Sequence, residues 1–208
     1  MPANEVHTVT GDQTATYMDH YYLNFWLWAC LRDGEKYLAA ASAFRAMIAG
    51  LRTTRESVLT FNQRRLTAPR EMELTKYHFV TAVGSLVRNL EHSKRLFPSI
   101  EAACEKAQHL FVEGKLLRDM IEHADEYNQG KGREQAGFVR EAKGVLSNFP
   151  GSAPGIADAT STIVDENGHW LGGRLNVERV MAEVRVIADE AARIPTPSGG
   201  SPRIAHRP

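Results

Sequence analysis

Cysteine is scarce in this chain: Cys30 and Cys104 are the only two in 208 residues. Each lies inside an apolar helical pattern, with no paired C-x-x-C spacing, so the sequence offers neither a zinc-type cysteine site nor a disulfide framework. Both read as buried, reduced thiols. Long apolar runs are missing as well. The densest, YYLNFWLWACL from Tyr21 to Leu31, falls short of the ~18 uninterrupted apolar residues that a bilayer span requires; it reads as a core helix, and no membrane partner is expected. MPANEVHTVTGDQ at the start has neither the basic opening nor the apolar run of a secretory signal, so a soluble, cytoplasmic protein is the expectation. Nor is there an excess charge of either sign. The 25 basic and 25 acidic residues cancel, no global positive field draws in nucleic acid, and any RNA contact depends on a local basic patch. GHWLGGR, Gly168 to Arg174, lacks a strand-turn-helix phosphate-loop pattern, and its glycines read as turn residues. No internal repeat is visible.

What the chain does have is apolar periodicity. With 43% hydrophobic residues it can bury a substantial core, and its length suggests one main domain with a smaller appendage. After Asp33 and Gly34, apolar residues recur at three- and four-residue steps through Leu38, Ala41, Phe44, Ile48, Leu51, Val58 and Phe61, which predicts one long helix, or two nearly continuous ones, ending before Pro69. A second long amphipathic helix follows through Met72, Phe79, Val83, Leu86, Leu90 and Phe97. Ser99 then reads as the N-cap of a third, with Glu101 in its first turn. The stripe of that third helix is Ile100, Cys104, Ala107, Leu110, Leu117, Met120 and Ala124, and NQGKGR ends it with glycines and positive charge. A further short helix is expected from about Glu134 to Leu146.

The texture then changes. PGSAPGIADA, Pro150 to Ala159, reads as a linker, and Asn167-Gly168 between two short apolar runs predicts a β-hairpin whose two turn residues take positive φ. Helical spacing returns from Leu175 to Ile194, and the tail from Pro195 has too little apolar surface to fold. The expectation is a mainly α protein: a bundle of four to five helices over residues 1–149, a linker, β-hairpin and C-terminal helix over 150–195, and a disordered tail over 196–208.

Chemistry concentrates in LRDMIEHADEY, Leu117 to Tyr127. Arg118 cannot deprotonate and suits a fixed, bidentate grip on phosphate. His123 titrates near neutrality and suits proton transfer. Asp119, one turn before His123, is placed to orient the imidazole. The stretch, with the succession of long helices around it, resembles the HEPN family of helical-bundle proteins, many of which are metal-independent ribonucleases with four to six residues between an arginine and a histidine near the end of a bundle helix. The resemblance implies a HEPN-like bundle, a homodimer with the site in a cleft between protomers, RNA as substrate, no cofactor or metal, and Arg118, Asp119 and His123 as catalytic residues. It also implies a setting such as defence or toxin-antitoxin systems. The family tyrosine two residues after the histidine is missing; Tyr127 stands four after it.

Other readings of the same stretch remain. On a straight helix, residues five apart are separated by about 140°, which puts Arg118 and His123 on opposite shoulders of the apolar stripe. Glu122, Asp125 and Glu126 surround His123 with negative charge, against Lys115, Lys131 and Arg133. Arg118 with Glu122, and Asp119 with His123, are spaced as surface ion pairs of ~0.3–0.5 kcal/mol each. Asp119, His123 and Glu126 also follow an i, i+4, i+7 line that could ligate a divalent metal, and His109 with Glu113 repeats the i, i+4 spacing. A non-catalytic bundle that binds a partner protein or a nucleotide is therefore the competing expectation. Trp26, Trp28 and Tyr21 read as core or dimer contacts rather than base-stacking platforms.

Overall fold

The computed structural model describes residues 11–50, 58–142, 145–146 and 155–195, with side chains over 16–50, 67–141 and 157–195. Four main helices form the body: α1 (Gly11–Gly50), α2 (Val58–Leu96), α3 (Glu101–Glu122) and α6 (Val177–Ala191), with the short α4 (Ala124–Asn128) and α5 (Gln135–Phe138) after α3. α2 packs between α1 and α3, and α6 packs on α1 and α3 from the other side, closing a ring of four. Asp19 reaching His92 near one end, and Gly34 meeting Phe79 further along, make α1 and α2 antiparallel.

The predicted periodicity drives this packing. Leu23, Leu27, Cys30, Tyr37, Ala41 and Phe44 of α1, Met72, Phe79, Val83, Leu86 and Leu90 of α2, and Cys104, Ala107, Leu110, Leu117 and Met120 of α3 are all buried in one continuous core. Both cysteines are free and buried, as expected. α6 adds Val177, Val180, Met181, Val184 and Ile187 to that core, each contributing about 1.5–3 kcal/mol of burial before entropy is counted. Its start is fixed by Asn176, whose side chain accepts the Arg179 amide N–H at 2.8 Å. The C-terminal helix is thus the fourth wall of the bundle.

Among the described residues, six short strands lie between α5 and α6. β1 (Val139–Ala142) pairs antiparallel with β3 (Gly155–Asp158), and β2 (Val145–Leu146), β4 (Thr162–Asp165), β5 (Gly168–Leu171) and β6 (Leu175–Asn176) form an antiparallel sheet in the order β2-β4-β5-β6. β1 and β2 take residues 139–142 and 145–146 of the helix expected over 134–146, and α5 keeps only 135–138 helical. In α5 Phe138 stacks on Tyr127 at 5.0 Å between ring centroids, and the chain then extends from Val139. β3 likewise occupies the end of the expected linker. Pairing of β1 and β2 with β3 and β4 ties residues on both sides of position 150 together.

The hairpin is where Asn167-Gly168 placed it, but the turn residues are Glu166 and Asn167, with Asp165 opposite Gly168. Only Gly168 has positive φ, at 116°, and a Cβ there would sit 2.5 Å from the Glu178 carboxylate. The side-chain cap of Asp165, accepting the Asn167 amide N–H at 2.8 Å, replaces the positive-φ turn. Gly172 and Gly173 form the turn before β6, as the sequence suggests.

Three helix limits also differ from expectation. Gly34 lies inside α1 rather than before a helix, because it is a packing notch: Met181 of α6 fills the space a Cβ would take. Pro69 lies inside α2; burial of Met72, Phe79 and their neighbours outweighs the ~3 kcal/mol that an interior proline costs. Ser99 sits in a 3-10 turn, Pro98–Ile100, and Ile100 rather than Ser99 precedes α3, with no side-chain cap. The expected limits within 51–57, the linker at 150–154 and the tail from 196 lie outside the described residues.

Candidate functional site

The stretch Leu117 to Tyr127 spans the end of α3, where Leu117 and Met120 face the core. Arg118 lies beside them, against α2. A Cβ added at Gly84 would come within 2.6 Å of Arg118 Cδ, so the missing side chain of Gly84 makes the groove in which the arginine stem lies. Its guanidinium is not free. Nε and Nη2 donate to the two oxygens of Glu122 at 2.8 and 2.7 Å, the parallel geometry that a guanidinium also makes with phosphate. These bonds hold the Glu122 carboxyl below its ordinary value of 4.5, with Arg88 and His123 pulling the same way, and they raise Arg118.

His123 terminates α3. Its backbone, at φ −114° and ψ 30°, leaves the helix, and its amide donates to the Asp119 carbonyl at 3.1 Å. The expected straight helix through Ala124 is therefore broken after His123. The imidazole is 56% exposed, with Nδ1 3.6 Å from Glu126 Oε1. Among the described residues that main-chain bond is the hydrogen bond joining Asp119 to His123; the Asp119 carboxylate does not orient the ring. The ion-pair spacing of Arg118 with Glu122 is realised, and that of Asp119 with His123 is not. No group of three or more histidine, cysteine or acidic side chains is arranged to hold a metal ion among the described residues, the Asp119, His123, Glu126 line included.

Tyr127 explains the chain after the site. Its ring is buried against Phe138, its hydroxyl accepts the Glu134 amide N–H at 3.2 Å, and its carbonyl accepts the Gln135 side-chain N–H at 3.0 Å. Gly132 passes so close to the ring that any Cβ would collide with it. The segment is further anchored by Arg174, whose fully covered side chain donates to Glu113 at 3.1 Å and to the Gly137 carbonyl. Arg140 joins the same Glu113 at 3.3 Å. Burial, then the nearby Arg140 charge, lowers the Arg174 pKa against the pull of Glu113. The spacing Glu113 to His109, read as a candidate ligand pair, thus resolves into a structural bridge between α3 and the strand region.

Sequence reasoning missed Gly84, Arg88 and the bridge through Arg174, since each joins positions far apart in the chain. It also left open the outer face of α1. Tyr21, Tyr22, Phe25 and Trp28 are 52%, 45%, 39% and 52% exposed, and Trp28 carries the Arg32 guanidinium 4.5 Å above its ring. Trp26 packs on the core. No helix among the described residues is long and apolar enough to cross a membrane.

A second polar cluster is enclosed between the sheet and the helices. His169 Nδ1 lies 2.5 Å from Glu178 Oε1, and the other carboxylate oxygen accepts the His169 amide at 2.9 Å. Tyr37 meets the imidazole edge-on at 6.1 Å. Burial raises the Tyr37 phenol above its ordinary range; the nearby Thr162 hydroxyl opposes the shift, but the two hydroxyls do not meet hydrogen-bond geometry.

Compared with known protein families, curated proteins and solved structures, the chain finds no match in any of the three.

Proposed function

We propose that this protein is a HEPN-like, metal-independent RNA endonuclease, or a regulated relative of one in a defence or toxin-antitoxin setting. The observation that carries the reading is the end of α3: an arginine seated in a glycine groove and, one turn on, a solvent-facing histidine at the helix terminus. In this reading Arg118 binds the scissile phosphate and stabilises the charge that develops on it. His123 takes the proton from the RNA 2′-hydroxyl, whose oxygen attacks the phosphorus; the bond to the 5′-oxygen breaks, and that oxygen is protonated as it leaves. One histidine serves one proton transfer at a time, so a second protomer would supply the other. The exposed aromatic row of α1 supports such a homodimer, because four half-covered aromatic rings on one helix face are an interface-like composition. Asp119, which does not touch the imidazole, contributes charge near Arg118 rather than ring orientation.

The test is incubation of the purified chain with mixed RNA in EDTA, beside Arg118→Ala and His123→Ala versions matched for folding and mass. Cleavage by the parent alone supports the reading; equal cleavage by parent and variants removes it.

A second reading is favoured by a specific observation: the Arg118 fork is filled by Glu122, and His123 faces Glu126. Here the bundle binds a partner protein or a nucleotide without cleaving RNA. The same variants would then change binding or dimer mass, with no cleavage in any version.

A further inference from the structure

Glu122 occupies Arg118 in the way a phosphate would. Both its oxygens are engaged, by Nε and Nη2, at 2.8 and 2.7 Å; a phosphate offers the same pair of oxygens to the same fork. Two further basic groups act on that carboxylate. Arg88 stands one helical turn beyond Gly84 on α2, and therefore on the face of α2 against which Arg118 lies. His123 follows Glu122 directly, where α3 ends. An isolated surface ion pair would need only Arg118 and Glu122; here the charges of Arg88, on the side of α2 facing Arg118, and of His123, at the helix terminus, add their pull on the same acid.

The charge count gives the consequence. With Glu122 in place, Arg88 and Arg118 are balanced by Glu122 and Asp119, which leaves no local positive field for a polyanion. With Glu122 turned aside, the Arg118 fork is open to a phosphate and the local balance moves toward positive, with Asp119 near Arg118 and Glu126 beside His123 still in place. Glu122 is the last residue of α3 and is solvent-exposed, so its side chain has room to turn outward without disturbing the core.

We propose that Glu122 is an internal phosphate mimic, which holds the Arg88, Arg118 and His123 patch closed until the phosphodiester of a single-stranded RNA displaces its carboxylate from Arg118. This rests on the reading of Arg118 and His123 as a phosphate-binding end of α3, and it adds the residue that regulates entry.

The experiment is binding of a fluorescently labelled single-stranded RNA 12-mer, in EDTA and at fixed salt, to the parent, Glu122→Gln, Glu122→Gln with Arg118→Ala, and Glu105→Gln as a control for loss of an exposed negative charge elsewhere on α3. Glu122→Gln is expected to bind at least tenfold tighter, with the gain abolished by Arg118→Ala and Glu105→Gln within twofold of the parent. Equal affinity of parent and Glu122→Gln overturns the proposal, as does a gain that survives Arg118→Ala. Adenosine monophosphate, titrated in parallel, separates the phosphate sources: a gain for the mononucleotide without one for RNA overturns RNA as the ligand. Failure of the nuclease reading looks different. Tighter RNA binding by Glu122→Gln with no cleavage by any version removes the nuclease and leaves the mimic, whereas cleavage by the parent with unchanged binding and rate in Glu122→Gln does the reverse.

Discussion

Arg118 and Glu122 meet through two parallel hydrogen bonds, with the arginine stem lying in the groove left by Gly84. An i, i+4 pair of this kind contributes only ~0.3–0.5 kcal/mol, so its value to the fold is small. Arg118→Ala should lower unfolding free energy by less than about 1 kcal/mol, packing of the stem included. His123→Ala, at an exposed helix end, should cost less still. The RNA cleavage proposed for the parent should nevertheless disappear in both. Urea denaturation alongside the cleavage assay checks the two halves; a variant that loses cleavage together with its fold would refute the division.

Acid should act on two depressed carboxyls. The Arg118 bonds lower Glu122 from 4.5. Burial raises Asp158, but hydrogen bonds from Thr160 and Ser161 outweigh it and leave the group below 3.8. A carboxyl whose folded pKa is depressed contributes stability above its unfolded pKa and loses it as pH falls through the folded one. Urea midpoints should therefore fall below about pH 4.5, and the Asp158→Asn variant should show a shallower fall than the parent. Equal slopes would exclude Asp158 from the acid response.

Arg174 should be costly to lose. Its side chain is fully covered and joins Glu113 of α3 to the Gly137 carbonyl in α5. Removing one partner of a buried charge pair costs about 3–5 kcal/mol; because Glu113 is partly exposed and keeps Arg140, about 3 kcal/mol is expected for Arg174→Met by chemical denaturation.

The cluster at His169 separates satisfied from unsatisfied polar groups. Glu178→Ala removes both the imidazole contact and the bond to the His169 amide, and should cost about 2 kcal/mol. Tyr37→Phe removes a buried hydroxyl without a well-formed partner and should change stability by less than about 1 kcal/mol, in either direction. Thermal melts of the two variants give the comparison.

Gly114 marks a close approach of α3 to α2, where a Cβ would lie 2.5 Å from Val83 Cγ1. Alanine favours a helix over glycine by up to ~1 kcal/mol, but overpacking a β-branched core residue costs about 1–3 kcal/mol. Gly114→Ala should therefore be destabilising, measured as a lower urea midpoint; a gain would show that Val83 has room to move.

Much was legible in the sequence because local periodicity is a local property. The buried stripes of α2, α3 and α6, the two buried thiols and the hairpin position all follow from residue spacing, whereas α3, expected to run to the glycines at 130 and 132, ends at Glu122. Where the chain departs from spacing, long-range packing is responsible. Met181 turns Gly34 from a helix boundary into a notch, core burial carries α2 through Pro69, and strand pairing claims residues that helical spacing would have extended.

The candidate site divides the same way. Sequence alone determined that an arginine, an acid and a histidine fall within one short stretch, and that Arg118 and Glu122 are spaced to pair. Tertiary structure decided that the helix ends at His123, that Asp119 does not reach the imidazole, that Gly84 of another helix seats the Arg118 stem, and that the Arg88 charge of that helix helps to lower the Glu122 carboxyl. The reason is physical: spacing along a helix fixes which neighbours can meet on it, whereas the field at a side chain is set by whatever the fold brings alongside.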